Sequence, residues 1–143
     1  MQDICAHEGR KFALIHFSGA GQIRADRFLP GQYTSADLLS AAEHFFAGGT
    51  DFETPIREAL RLINEEAFKD ADILFITDGK RTISEELAEQ LQDAVHDARC
   101  SVVGLLLDAD TPGMEFSLDK FCEKIYRISR MAESRIEAVV LDI

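Results

Sequence analysis

Basic residues are scarce in this chain. Fifteen Lys and Arg stand against 26 Asp and Glu in 143 residues, a formal net charge of −11, and the pI is near 4.7. Binding to a phosphate backbone draws its affinity from counterions released by lysine and arginine, so nucleic acid is not an expected partner. Long apolar runs are also missing. The longest, such as residues 73–76 and 102–107, stop well short of the roughly 20 residues that cross a bilayer, so no membrane partner is expected. The opening residues, Met1-Gln2-Asp3-Ile4, lack the basic start and apolar stretch of a secretory signal. Cysteine is limited to Cys5, Cys100 and Cys122, an odd and widely spaced set that points to a reduced, cytoplasmic chain. No Pro/Gly/Ser-rich linker, repeat or low-complexity tract interrupts the sequence, and one domain over residues 1–143 is expected.

What is present is an alternation of two patterns. Residues 12–17 (FALIHF), 72–77 (DILFIT) and 101–107 (SVVGLLL) are short, nearly continuous apolar runs, as in strands covered on both faces of a parallel sheet, and residues 125–128 (IYRI) form a fourth candidate. Residues 21–29 instead mix Ile23, Ala25 and Phe28 with charged residues after the turn signal Ser18-Gly19-Ala20-Gly21, which predicts the edge strand of a hairpin. Between the strands the spacing predicts amphipathic helices. One is capped by Thr34 or Ser35, carries Leu38, Leu39, Ala42, Phe45 and Phe46 on one face and stops at Gly48-Gly49. A second starts around Asp51–Pro55 and buries Ile56, Ala59, Leu60, Ile63 and Ala67. A third begins after Ser84, with Leu87, Leu91, Ala94, Val95 and Ala98 facing inward, and Ser117 opens a short one with Leu118 and Phe121. Strands alternating with helices predict a three-layer, doubly wound α/β fold with a mostly parallel sheet and one antiparallel edge strand.

In such sheets ligands sit beyond the carboxyl ends of the strands, which directs attention to the loops at residues 18–21, 47–52, 77–82 and 108–114. Asp78 comes directly after a buried apolar strand and precedes Gly79, so its carboxylate stands at the open end of the sheet; it is either a hard-cation ligand, a catalytic acid or a turn-former. Gly48-Gly49-Thr50-Asp51 leads into a helix, where Thr50 offers a hydroxyl near the positive helix end and Asp51 can serve as a cap. A hydroxyl and a strand-end carboxylate are oxygen donors of the kind Mg²⁺ takes together with water.

These pieces, in this order, resemble the von Willebrand factor type A (integrin I-like) domains: the strand ending Phe17-Ser18, the loop Gly48-Gly49-Thr50-Asp51 with its helix through Ala59-Leu60, and the strand Ile73 to Thr77 with Asp78-Gly79 after it. The resemblance extends over nearly the whole chain and implies a Rossmann-like fold, protein–protein recognition without catalysis, and a metal-ion-dependent adhesion site (MIDAS) in which Thr50 and Asp78 are metal ligands for Mg²⁺. The family's opening Asp-x-Ser-x-Ser strand is absent. The chain therefore resembles a domain lacking its first strand and part of its first helix, with residues 1–7 as the last turns of that helix. Two protein ligands predict a weak or vestigial site. A missing central strand would leave sheet edges open, which invites homodimerisation or a replacement strand. Residues 136–143 fit such a strand, but Ala132, Ile136, Val139, Val140 and Ile143 also share a helical face, and the helix is preferred. Within the family, the acidic, cysteine-poor character resembles bacterial A domains that work beside MoxR-type AAA+ ATPases.

The reading from another class is a doubly wound enzyme or phosphoacceptor that uses Asp78, but the companion acids and lysine of a receiver site are not evident, and Lys80 is a poor substitute. Gly19-Ala20-Gly21 reads as a hairpin turn rather than a dinucleotide fingerprint. The cysteines lack metal spacing and read as structural thiols. His7, His16, His44 and His96 are scattered, and His16, inside a core strand, is expected to be a satisfied interior histidine. Ser18 is either a hydroxyl for the loop site or a turn residue. Glu85, Glu86, Glu89, Asp93 and Asp97 read most simply as a solvated helix face, a surface for a basic partner being the sharper reading.

Overall fold

The computed structural model describes residues 10–69, 71–78, 81–107 and 118–127, which divide into two units between Phe68 and Lys69. The N-terminal unit holds β1 (Phe12–Phe17), β2 (Ile23–Phe28), α1 (Ser35–Ala42), α2 (Glu53–Ile63) and a 3₁₀ turn at Glu66–Phe68; the C-terminal unit holds β3 (Ile73–Thr77), α3 (Glu85–Ala98), β4 (Val102–Leu106) and β5 (Lys124–Arg127). The fold is mixed α/β, with one antiparallel two-stranded sheet and one parallel three-stranded sheet of order β3-β4-β5. Among the described residues no helix is long and apolar enough to cross a membrane. The expected helix remnant at residues 1–7, Cys5, the residues Gly79 and Lys80, the loop at 108–114, Ser117 and the stretch 132–143 lie outside the described residues.

In the N-terminal unit β1 and β2 form the expected hairpin, with Phe12 opposite Phe28 and His16 opposite Arg24. Side chains alternate across the ribbon, so Phe12, Leu14, His16, Arg24, Asp26 and Phe28 share one face and Phe17, Ile23, Ala25 and Arg27 belong to the other. The second face takes α2: Phe17 meets Phe52 edge-on at 6.2 Å, and Arg27 pairs with Glu65, just past the helix, at 3.1 Å. Helix α2 buries Pro55, Ile56, Ala59, Leu62 and Ile63. It ends before Ala67, which falls in the 3₁₀ turn. The first face takes α1 together with the segments on either side of that helix. Phe12 stacks on Phe28 at 4.7 Å, Tyr33 stands edge-on to Phe28 at 5.4 Å, and Arg24 reaches the Ser40 carbonyl at 3.4 Å.

Helix α1 is shorter than its apolar spacing predicts. Thr34 caps it through a capping box with Asp37, Glu43 closes it and Ala41 is its one buried residue. Leu39 and Phe45 are 57% and 84% exposed, so the expected face is not the buried one. Past Ala42 the chain leaves the helix and His44 takes a position edge-on to both His16, at 5.4 Å, and Phe46, at 4.5 Å. That aromatic packing competes successfully with another helical turn. His16 is not the satisfied interior histidine expected, because its Nε2 is buried without a hydrogen-bond partner, as is Nε2 of His44.

In the C-terminal unit the apolar runs pair in parallel as expected: Phe75 lies beside Gly104, and Gly104 beside Ile125. All five residues of β4 are buried, the signature of a strand covered on both faces. Over the row Phe75–Gly104–Ile125 sits the turn at residues 118–122, where a helix was expected. Phe121 stands edge-on to Phe75 at 5.3 Å, and a Cβ on Gly104 would come within 2.9 Å of Leu118 Cδ1 and 3.2 Å of Cys122 Sγ. The missing side chain of Gly104 is therefore the space into which the turn packs. Ser84 holds the N-cap position of α3, and Leu87, Ala88 and Leu91 are buried. The helix closes on Arg99, left-handed with φ 54°, and Gln92 Nε2 ties it to the turn through the Lys120 carbonyl at 3.1 Å. Cys100 is buried and Cys122 half-buried, the latter with a thiol pushed up to about 12 by burial and then by Asp119, consistent with structural thiols.

Gly104→Ala, which adds a methyl group against the fully buried Leu118, should lower unfolding stability by about 1–3 kcal/mol in urea titrations. A second expectation concerns pH. Burial, then the neighbouring His44, hold His16 below the ordinary histidine value, with Arg24 also lowering it and Asp26 and the Ala41 backbone opposing. The unfolded chain therefore binds the extra proton first on acidification, and the contribution of His16, complete above the ordinary pKa of about 6.5, is lost as pH falls from there towards the lowered folded value. Urea titrations across that window should show a drop in stability that is smaller in His16→Gln.

Candidate functional site

The loop that carries Thr50 is organised by Ser18, the first residue after β1. Ser18 N–H donates to the Gln22 carbonyl at 3.3 Å, and Gln22 N–H donates to the Gly19 carbonyl at 2.9 Å, which closes the hairpin turn. The Ser18 hydroxyl donates to the Gly49 carbonyl at 2.9 Å. The Ser18 carbonyl accepts from Asp51 N–H at 2.7 Å. The two peptide groups that flank Thr50 are thus both fastened to one serine, with Thr50 itself half-buried. Residue type alone leaves Ser18 open between a site hydroxyl and a turn residue; in the structure its hydroxyl shapes the loop.

Gln22 completes the turn from inside, its Oε1 accepting from Gly19 N–H at 2.9 Å. A Cβ on Gly48 would land on that same oxygen and within 3.0 Å of Ser18 Oγ, so any larger residue here has to displace the Gln22 side chain from the turn.

Asp51 acts as the helix cap. One carboxylate oxygen accepts from Glu53 N–H at 3.3 Å and the other from Thr54 N–H at 3.1 Å, and the Thr54 hydroxyl donates to the latter oxygen. Thr54 Oγ1 in turn accepts from Gly21 N–H at 3.2 Å, so a relay of hydrogen bonds runs from the hairpin turn to the cap. Phe52, 1% exposed, anchors the start of α2. Both oxygens of Asp51 are engaged by backbone and hydroxyl donors, the normal occupation of a helix-start carboxylate. Sequence reasoning finds the cap but misses Thr54 and Gln22; the spacing of Asp51 to Thr54, the reach of a cap to the third residue on, is the signal available.

Asp78 belongs to the C-terminal unit. It is exposed, directly after Thr77, whose buried position at the end of β3 is fixed from the β4 side by Leu107 N–H donating to the Thr77 carbonyl at 3.0 Å. Its carboxylate stands at the carboxyl end of the parallel sheet, where ligands of α/β proteins bind. Among the described residues no group of three or more His, Cys, Asp or Glu side chains is placed to hold a metal ion. Thr50 belongs to the N-terminal unit and Asp78 to the C-terminal unit.

Asp51→Ala should remove three acceptor contacts at once and lower stability by about 1–2 kcal/mol in denaturant titrations, with Asp51→Asn recovering part of the loss.

No family profile and no solved structure matches the chain. Two proteins of Methanocaldococcus jannaschii are similar to it. The uncharacterized protein MJ0811 is 27% identical over 108 residues, which cover 74% of this chain and 24% of that protein. The uncharacterized protein MJ0077 is 30% identical over 93 residues, which cover 65% of this chain and 22% of that protein. The chain thus spans about a quarter of the length of these curated relatives.

Proposed function

We propose that this chain is a von Willebrand A-type module, with a three-layer doubly wound fold, that binds a protein partner without catalysing a reaction. The observation that carries the reading is the clamp on Thr50: Ser18 holds the peptide groups on both sides of it, so the backbone of Thr50 is fixed just before α2. A loop with its backbone preorganised in this way is suited to recognition. The exposed carboxylate of Asp78 at a strand end is the second contact point, and Thr50 and Asp78 are the two positions to which the resemblance gives metal-ligand roles.

The donor set does not fit a resident Mg²⁺ well. That ion takes six oxygens in near-ideal octahedral geometry, and the resemblance assigns to it one neutral hydroxyl and one carboxylate, the carboxylate of Asp51 being committed to the helix start. The partner contact is therefore carried mainly by the protein surface, with Mg²⁺ a weak addition. The acidic character of the chain, −11 overall, favours a partner with a basic face. A MoxR-type AAA+ ATPase in the cytoplasm is the partner class that the resemblance suggests.

The test is a binding measurement against a MoxR-type ATPase from the source organism, in Mg²⁺ and in EDTA, with the native chain, Asp78→Ala and Thr50→Ala. Saturable binding that weakens by about tenfold in either variant, the loss of one good contact, is expected. Full-strength binding by both variants would sink the site assignment, and covalent labelling of Asp78 by an acyl phosphate would replace recognition with phosphoacceptor chemistry.

A further inference from the structure

Two imidazoles on the first face of the β1–β2 ribbon have no part in the proposed recognition loop. His16 projects from β1 and His44 from the segment just after α1, with ring centroids 5.4 Å apart and planes at 70°. Nε2 of each ring is buried and without a hydrogen-bond partner. A buried imidazole nitrogen left unpaired costs free energy, and two in contact call for a shared partner. The Ala41 backbone slightly favours a proton on the His16 ring. With that proton on Nδ1, the lone pair of Nε2 is open to a metal. A ligating histidine is ordinarily fixed in this way, its far nitrogen donating to a carbonyl.

We propose that His16 and His44 form a two-histidine site for a borderline d-block dication such as Zn²⁺, bound through the two Nε2 atoms. The spacing suits it: metal–nitrogen bonds of about 2.0–2.1 Å at a tetrahedral ion hold two imidazole centroids roughly 5 Å apart. Imidazole nitrogen selects Zn²⁺, Ni²⁺ or Cu²⁺ over the hard cations. The surroundings supply one carboxylate, Asp26, which lies on the same face of the ribbon and is paired with Arg24 at 2.8 Å. Among the described residues no third His, Cys, Asp or Glu completes a larger set, so water fills the remaining positions and the affinity is that of a bis-imidazole chelate. Phe46, edge-on to His44 at 4.5 Å, walls the site on its other side. Burial disfavours the charged His16 ring, and the neutral ring is the state that binds metal. The ion would fasten the segment after α1 to the hairpin, reinforcing the ring contact between His16 and His44.

The experiment is a Zn²⁺ titration of the chain monitored by ¹⁵N NMR of the histidine rings and by thermal unfolding. The expected result is a coordination shift of Nε2 in both His16 and His44, with His96 unmoved, and a Tm that rises with Zn²⁺ concentration and returns to its starting value in EDTA. His44→Gln and His16→Gln should each abolish the Tm rise while keeping the native circular dichroism. Ring nitrogens of His16 and His44 that stay put at saturating Zn²⁺, or a Tm rise that survives in both variants, would overturn the proposal. If either variant fails to fold, the ring shifts of the native chain decide alone.

Discussion

Ser18 commits every polar group it has at the end of β1. Its N–H closes the hairpin, its carbonyl receives Asp51 and its hydroxyl donates to the Gly49 carbonyl. A chain leaving a strand must find partners for backbone groups that the ladder no longer satisfies, and here one residue finds them in a loop far away in sequence. The consequence reaches in both directions: the hairpin turn is tied to the start of α2 through Thr54 and Asp51, and the intervening Thr50 has its backbone fixed. Phe17 on Phe52 places an apolar contact directly beside this polar knot, so packing and hydrogen bonding agree about where the helix begins.

The C-terminal unit rests on a different constraint. Its central strand β4 has no exposed residue, because a parallel strand covered on both faces has no solvent side to which a polar residue could be assigned, whereas β3 exposes Ile76. Asp78 is where that rule ends, one residue past the last buried position of β3.

The strands were legible in the sequence because continuous apolar runs and the charged alternation of residues 23–28 are distinct patterns, and two helix starts were legible because Thr34 and Asp51 are residues with a capping mechanism at that position. The end of α1 was not. Phe45 and Phe46 continue the helical spacing perfectly well, and only the ring packing of His44 between His16 and Phe46, a tertiary effect, draws the chain away. The clamp on Thr50 was half legible: Gly48-Gly49 announced a close approach without saying to what, and nothing in the residue type of Ser18 foretold that both its oxygens would turn to the same loop. The His16–His44 pair was not legible at all, since its members come from a strand and an irregular segment with no motif linking them. Likeness to longer archaeal proteins leaves the functional proposal resting on the fold-level resemblance read from Thr50 and Asp78.

The indentation at Gly104 has an architectural effect of its own. Leu118 and Cys122 sit over it, and Glu123 N–H then bonds the Val102 carbonyl, so the alignment of β5 beside β4 is set before β5 begins. The glycine works as a notch that receives a key two residues ahead of the strand. A change in chain length upstream of Leu118 leaves the key seated and β5 in place. One inserted or deleted residue between Cys122 and Lys124 keeps the key seated too, but it turns Ile125 and Tyr126 each to the opposite side of the sheet, because strand side chains alternate with a period of two.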